Sequence, residues 1–171
     1  MKVKQIMVAI GLVVILFVGT TIVASAEPAF GRLAGGGNWV YEVVGWAWGR
    51  INVTFDPVTG DADGFLKYMS YSEDKPGNFG GWEGKAICTA LGEFEGLPTL
   101  SIVVEVTGGT YWEYGTYAKF IVADGGNEAD DLLGLSVWGM DGPVPDMPSC
   151  EFEPPFYWWP VDNGNFTLHI P

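Results

Sequence analysis

The chain has 171 residues, a length that fits one domain with a short leader. Aromatic residues make up 15% of it, and 21 acidic against 8 basic residues give a formal net charge of −13. An unfolded acidic segment would be poor in aromatic residues, so the composition excludes a disordered chain. Because the negative charge repels phosphate backbones, we expect no nucleic-acid partner.

The first 26 residues are typical of a secretory signal peptide. Two lysines provide a positive start, an apolar run over residues 6–18 follows, and Ala24-Ser25-Ala26 forms an A-x-A cleavage site. We expect a signal helix here and cleavage after Ala26, which leaves residues 27–171 as one secreted domain without membrane contact. The alternative is an uncleaved leader that anchors the protein, because residues 6–26 are long enough to span a bilayer.

After the leader, β-branched and aromatic runs alternate with Gly, Pro, Asn and Asp, and no segment has convincing helical periodicity. The predicted strands are Trp39–Val44, Gly45–Phe55, Leu66–Tyr71, Trp82–Ala90, Leu100–Thr107, Tyr111–Val122 with a break at Gly115, Leu132–Trp138 and Phe166–Ile170. Residues 141–160, rich in Pro and aromatic residues, are expected to be ordered but irregular. About eight strands at this spacing predict an all-β fold, an antiparallel β-sandwich or barrel.

Alternation predicts which side chains of two strands face the core. Ile51, Val53 and Phe55 alternate with polar residues, so we expect them on a buried face. In the strand over 82–90, one predicted face carries only small residues, which suits a place where two sheets approach closely. These residues are Gly84, Ala86, Cys88 and Ala90.

Cys88 and Cys150 are the only two cysteines of the chain. In the oxidising compartment that the leader predicts, they can pair only with each other. The disulfide would stabilise the fold by about 4 kcal/mol in the chain-entropy model. The alternative is a pair of buried free thiols.

Two acidic loops are candidate sites for Ca²⁺, the one candidate cofactor, because Ca²⁺ prefers hard oxygen ligands. Asp61 and Asp63 lie in a turn bounded by glycines, and Asp124 and Asp131 belong to a second acidic cluster. The alternative is that these carboxylates cap backbone N–H groups of hairpin turns.

Clustered aromatic residues are candidates for stacking on sugar rings, because their flat apolar faces suit pyranoses. The candidates are Trp46, Trp48, Tyr157, Trp158 and Trp159. The alternative is that these side chains fill the core, as large aromatics commonly do in β proteins.

The order of several short motifs resembles a widespread family of uncharacterised secreted prokaryotic β-domains. The motifs are Gly35-Gly36-Gly37, the strands over 51–55 and 64–68, the cysteine strand over 87–90, the V-x-D-x-G turn over 122–126, the strand over 131–135 and the terminal G-N-x-x-x-H strand over 164–169. The resemblance implies a secreted β-sandwich or barrel. It implies no catalytic residues.

Catalytic signals are weak in this sequence. His169 is the single histidine, and no nucleophile is marked. Four glutamates could form the carboxylate pair of a glycoside hydrolase, but such pairs also occur by chance in an acidic protein: Glu83, Glu93, Glu95 and Glu113. We therefore expect a secreted non-enzymatic domain with a binding or structural role at the cell surface or in the medium. Its expected partner is a carbohydrate, a calcium-dependent ligand or a protein. The alternative is an extracellular hydrolase of a polymer such as polysaccharide.

Overall fold

A computed structural model describes residues 30–41, 45–71, 79–109, 115–126, 130–137, 146–155 and 157–171. The predicted signal helix lies outside these residues. Within them the chain forms nine strands and no helix. The strands are β1 (Gly31–Tyr41), β2 (Gly45–Phe55), β3 (Ala62–Tyr71), β4 (Phe79–Phe94), β5 (Leu97–Gly109), β6 (Tyr117–Ala123), β7 (Leu132–Val137), β8 (Trp158–Pro160) and β9 (Asn163–His169).

The nine strands form one antiparallel sheet in the order β8-β7-β6-β5-β4-β3-β2-β1-β9. The strands at the two ends of this order, β8 and β9, follow each other in the chain and are connected by residues 161–162. The sheet therefore curls into a half-barrel that brings its two ends together. The all-β antiparallel part of the prediction is confirmed.

The structure differs from the predicted strands mainly at the two ends of the chain. β1 begins at Gly31 rather than Trp39, because the glycine-rich segment belongs to the strand. A side chain on Gly35, whose φ is 153°, would collide with the backbone of Asn165 in β9, so glycine allows the two strands to approach. β8 is a three-residue strand within the segment that we expected to be irregular.

The inner face of the curled sheet carries the hydrophobic core. Ile51, Val53 and Phe55 are buried there, as their alternation predicted. An aromatic cluster fills the middle: the ring centroids of Tyr68 and Trp82 are 5.9 Å apart. This inner core leaves the outer face of the sheet as the place for any exposed site.

A β-bulge at Ile87 reverses the direction of the side chains along β4. Ala86 pairs with Val104 and Cys88 pairs with Val103, so Ile87 is the extra residue. Ala86 consequently belongs to the inner core, whereas Cys88 lies on the outer face. The prediction that these two residues share one face is wrong, because a bulge shifts the alternation by one residue.

At the free edge of β9, two carboxylates accept backbone hydrogen bonds that another strand would otherwise accept. β9 pairs with β1 along one edge. On its other edge, Asp131 Oδ2 accepts the Phe166 N–H at 2.5 Å, and Asp124 Oδ2 accepts the Leu168 N–H at 2.6 Å. Both carboxylates come from the connection between β6 and β7, so they join the two ends of the curled sheet.

Candidate functional site

The outer face of the sheet has a covered half and an open half. Residues 146–155, which we call the strap, lie against the outer side of β4, β6 and β7. We call the outer side of β9, β1, β2 and β3 the open face, because most of its described side chains are exposed. Among them are Arg32, Asn52, Phe65, Lys67 and Thr167.

A disulfide fixes the start of the strap to β4. Cys88 and Cys150 are bonded, with their Cα atoms 5.9 Å apart, which confirms the predicted pairing. The bulge at Ile87 makes this bond possible, because it turns Cys88 toward the outer face. The disulfide therefore belongs to the structure of the covered half.

Two glycines provide the room that the strap needs. A side chain on Gly92 of β4 would collide with the ring of Phe152, and one on Gly134 of β7 would collide with Pro155. The strap therefore packs directly on the backbone of the sheet. This close packing covers the outer surface of the sheet beneath the strap.

Lys119 of β6 is buried beneath the strap, with 0% of its surface exposed. Its Nζ donates to the main-chain oxygen of Glu151 at 2.5 Å and lies 3.9 Å from a carboxylate oxygen of Glu153. Burial lowers the pKa of Lys119, while the negative charges of Glu153 and Glu151 act in the opposite direction. These contacts tie the strap to the sheet and leave the ammonium little freedom to contact a ligand.

The turn after β2 borders a shallow depression of about 340 Å³ next to the disulfide. Asp56 in this turn accepts the N–H groups of Val58 at 2.7 Å and Thr59 at 3.1 Å. These hydrogen bonds hold the pKa of Asp56 below its ordinary value. The carboxylate of Asp56 thus stabilises the turn by accepting its backbone N–H groups, as in an Asx turn.

The structure shows how the candidate calcium ligands are used. The second oxygen of Asp131 accepts the Gly125 N–H at 2.9 Å, and that of Asp124 accepts the Gly126 N–H at 2.8 Å. In the other loop, Asp61 Oδ2 accepts from the Thr59 hydroxyl at 3.0 Å, and Asp63 is exposed. Within the described ranges, no three His, Cys, Asp or Glu residues converge in a way that could hold a metal ion. Calcium binding stays a prediction.

The candidate stacking residues separate into different environments. Trp158 packs against Phe94 with ring centroids 4.4 Å apart, and half-buried Trp159 packs on the core. Tyr157 is 70% exposed and stacks on Trp159 at 6.2 Å. The Trp46 side chain lies outside the described residues. Trp48 is the candidate that the structure places on the open face.

Trp48 borders a second depression of about 340 Å³ on the open face, across β1 and β2. Arg32, Arg50 and Asn52 also line it, and Gly36 forms part of its floor. Arg32 Nη2 donates to Asn52 Oδ1 at 3.3 Å. The depression thus combines one aromatic side chain with several hydrogen-bond donors, which is the composition of a site for a polar ring-shaped ligand.

Among the candidate glutamates, Glu93 and Glu95 are near each other in sequence at the end of β4, and Glu83 is not brought to them. Glu83 and Glu93 lie ten residues apart on β4, a distance of about 33 Å at the rise of a strand. Glycosidase carboxylates lie within about 10 Å of each other. His169 is exposed on the open face beside Arg32. Glu113 lies outside the described residues.

Sequence reasoning missed the two arginines of the open face. Trp48 and Arg50 share a face of β2 by simple alternation, which the sequence does indicate. Arg32 joins them only through the register between β1 and β2, which pairs Gly36 with Arg50 and Ala34 with Asn52. The pairing of two strands was needed to find this cluster.

Comparison of the chain with protein-family models, with curated proteins and with solved structures finds no match. The resemblance to a family of secreted β-domains therefore stays a prediction. In the described part of the chain, no helix has the length and hydropathy required to cross a membrane.

Proposed function

We propose that this protein is a secreted, non-enzymatic domain that binds extracellular polysaccharide on its open face. The observation that supports this most directly is the position of Trp48, half-buried at the edge of a depression lined with arginine and asparagine. An aromatic ring offers a flat apolar surface for one face of a sugar, while neighbouring donors hydrogen-bond its hydroxyls.

Export is part of this proposal, and the leader is its main support. A positive start, an apolar run and an A-x-A site precede the β-domain. The Cys88–Cys150 bond is compatible with an oxidising compartment. Mass spectrometry of the non-reduced protein from the medium tests both points, and we expect an N-terminus at Glu27 and no free thiol. A protein retained in cells with its leader intact would contradict export.

Retention of the exported protein on a panel of insoluble polysaccharides tests the binding function. We expect at least one polysaccharide to retain it, and Trp48→Ala to weaken retention about tenfold, since an aromatic contact contributes about 1.5 kcal/mol. Trp48→Tyr, which keeps a ring, should retain most of the binding.

The matched control is Tyr157→Ala, which removes an exposed aromatic ring away from the depression and should leave retention unchanged. Loss of binding in this variant but not in Trp48→Ala would contradict the assignment to the open face. Absence of retention on every polysaccharide would contradict the binding function. Release of new reducing ends by the wild-type protein would contradict its non-enzymatic character and favour a hydrolase.

A further inference from the structure

We propose that the depression beside Trp48 recognises a polyuronate, a polysaccharide whose sugar rings carry carboxylates. The inference rests on the proposed polysaccharide binding and adds the charge of the ligand. It follows from the way in which a strongly acidic protein distributes its few cationic side chains.

The exposed basic residues that the structure describes lie on one side of the sheet. The chain has only 8 Lys and Arg residues. Among the described ones, Lys119 is buried under the strap. The four that are described and exposed all lie on the outer side of β1–β4: Arg32, Arg50, Lys67 and Lys85.

Two of these four cations have an acidic neighbour in the sheet register, and the two arginines do not. Lys67 pairs with Glu83, and Lys85 pairs with Glu105. The residues that line the Trp48 depression include no carboxylate, although the chain has 21 acidic residues. Among the described residues, these two arginines therefore have no carboxylate as a register partner or in the lining, and an anionic ligand would supply a counter-charge.

The spacing of these side chains suits a chain of linked sugars. Trp48, Arg50 and Asn52 follow one another on the outer side of β2 at steps of about 7 Å. The guanidinium of Arg32 donates a hydrogen bond to Asn52, the residue of these three that lies farthest from Trp48. One pyranose can stack on Trp48 while carboxylates along the polymer accept paired hydrogen bonds from the guanidinium groups.

The same observations favour a polyuronate over other polyanions. Nucleic-acid binding draws most of its affinity from phosphate contacts along the backbone, and this depression offers only two cations. The net charge of −13 opposes every polyanion, so binding of a polyuronate has to depend on local contacts with Trp48 and the two guanidinium groups. The acidic side chains of a peptide carry carboxylates but no ring whose apolar face could cover Trp48. A polyuronate provides both the ring and the carboxylate in each repeat unit.

The test compares polygalacturonate with the same polymer after its carboxylates are reduced to alcohols. We expect the wild-type protein to bind the native polymer at least about tenfold more tightly than the reduced one, as loss of a charge-assisted hydrogen bond predicts. Arg50→Gln and Arg32→Gln should each remove most of this difference. Arg50→Lys should recover only part of it, because lysine lacks the planar fork.

Lys85→Gln is the matched control, because it removes an equal charge from the same side of the sheet outside the depression. It should bind polygalacturonate as the wild type does. Equal binding of native and reduced polymers, an equal loss in Lys85→Gln and Arg50→Gln, or equally tight binding of polyglutamate or single-stranded DNA would overturn this inference. Binding of neutral polysaccharide alone would preserve the proposed function, whereas binding of no polysaccharide would contradict both.

Discussion

The carboxylate of Asp131 and the N–H of Phe166 are joined by a hydrogen bond of 2.5 Å across the two ends of the curled sheet. Asp131 immediately precedes β7, and its main-chain oxygen also accepts the Val161 N–H at 3.0 Å. The edge of a strand with free N–H groups invites pairing with another chain. Here a side chain occupies that edge, so the ends of the sheet meet without a continuous ladder.

The closure by Asp131 should be important for stability. Asp131 is only 6% exposed, and Asp131→Ala leaves the N–H groups of Phe166 and Gly125 without their acceptor. We expect a loss of about 1–3 kcal/mol in the free energy of unfolding, measured by urea denaturation. Asp130→Ala is the control, because its side chain is exposed. Equal stability of the two variants would contradict the role of this contact.

The contrast between β2 and β4 shows how far the sequence predicts this fold. In β2 one face is buried and the other is polar, so alternation identified Ile51, Val53 and Phe55 correctly. In β4 small residues occupy both sides of the bulge at Ile87, and alternation carries no signal of the extra residue.

Two features of the structure depend on residues that are far apart in the sequence: the contact that joins the ends of the sheet and the cluster on the open face. Asp131 and Phe166 are 35 residues apart, and no local pattern connects them. The cluster of Arg32 with Trp48 likewise follows from the register of β1 and β2. The disulfide was predictable because the chain offers only one possible pair of cysteines.

The Cys88–Cys150 bond should stabilise both the fold and the strap. It closes a loop with a sequence separation of 62, and its loss should cost about 2–5 kcal/mol. Urea denaturation of Cys88→Ser, Cys150→Ser and the double variant measures this cost. We expect all three to be equally destabilised, because each removes the same bond. A double variant much less stable than either single variant would show that the two cysteines stabilise the fold separately.

The buried ammonium of Lys119 should make stability depend on alkaline pH. Burial lowers its pKa in the folded protein below the ordinary 10.5, so the folded state releases its proton first as the pH rises. In the window between the folded value and 10.5, the unfolded state binds more protons, and stability rises with pH. Lys119→Met has no ammonium group, so this rise of stability with pH is absent from the variant.

The measurement for Lys119 is the free energy of unfolding of the wild type minus that of Lys119→Met. We expect this difference to increase from neutral pH toward 10.5. At neutral pH the variant should be at least as stable as the wild type, because an apolar side chain avoids the cost of burying a charge. A difference that falls with rising pH would contradict the burial of a charged amine.

The Asp56 turn should respond to acid. Its pKa is lowered in the folded protein by the N–H groups of Val58 and Thr59, so its stabilising effect is complete above the unfolded value of 3.8. That effect is lost as the pH falls through the lower folded value. We expect Asp56→Ala to have a lower melting temperature than the wild type near neutral pH and the same one in strong acid. Asp63→Ala, which alters an exposed side chain, should show no such convergence.

The most direct measurement of the central proposal is an NMR titration of the isotopically labelled protein with oligogalacturonate. We expect the largest shifts at the Trp48 indole N–H, at the guanidinium groups of Arg32 and Arg50, and at the amides of β1 and β2 around them. The strap and Tyr157 should be unaffected. Largest shifts at the strap or at Tyr157, or no shifts with any oligosaccharide, would contradict the assignment of a binding surface to the open face.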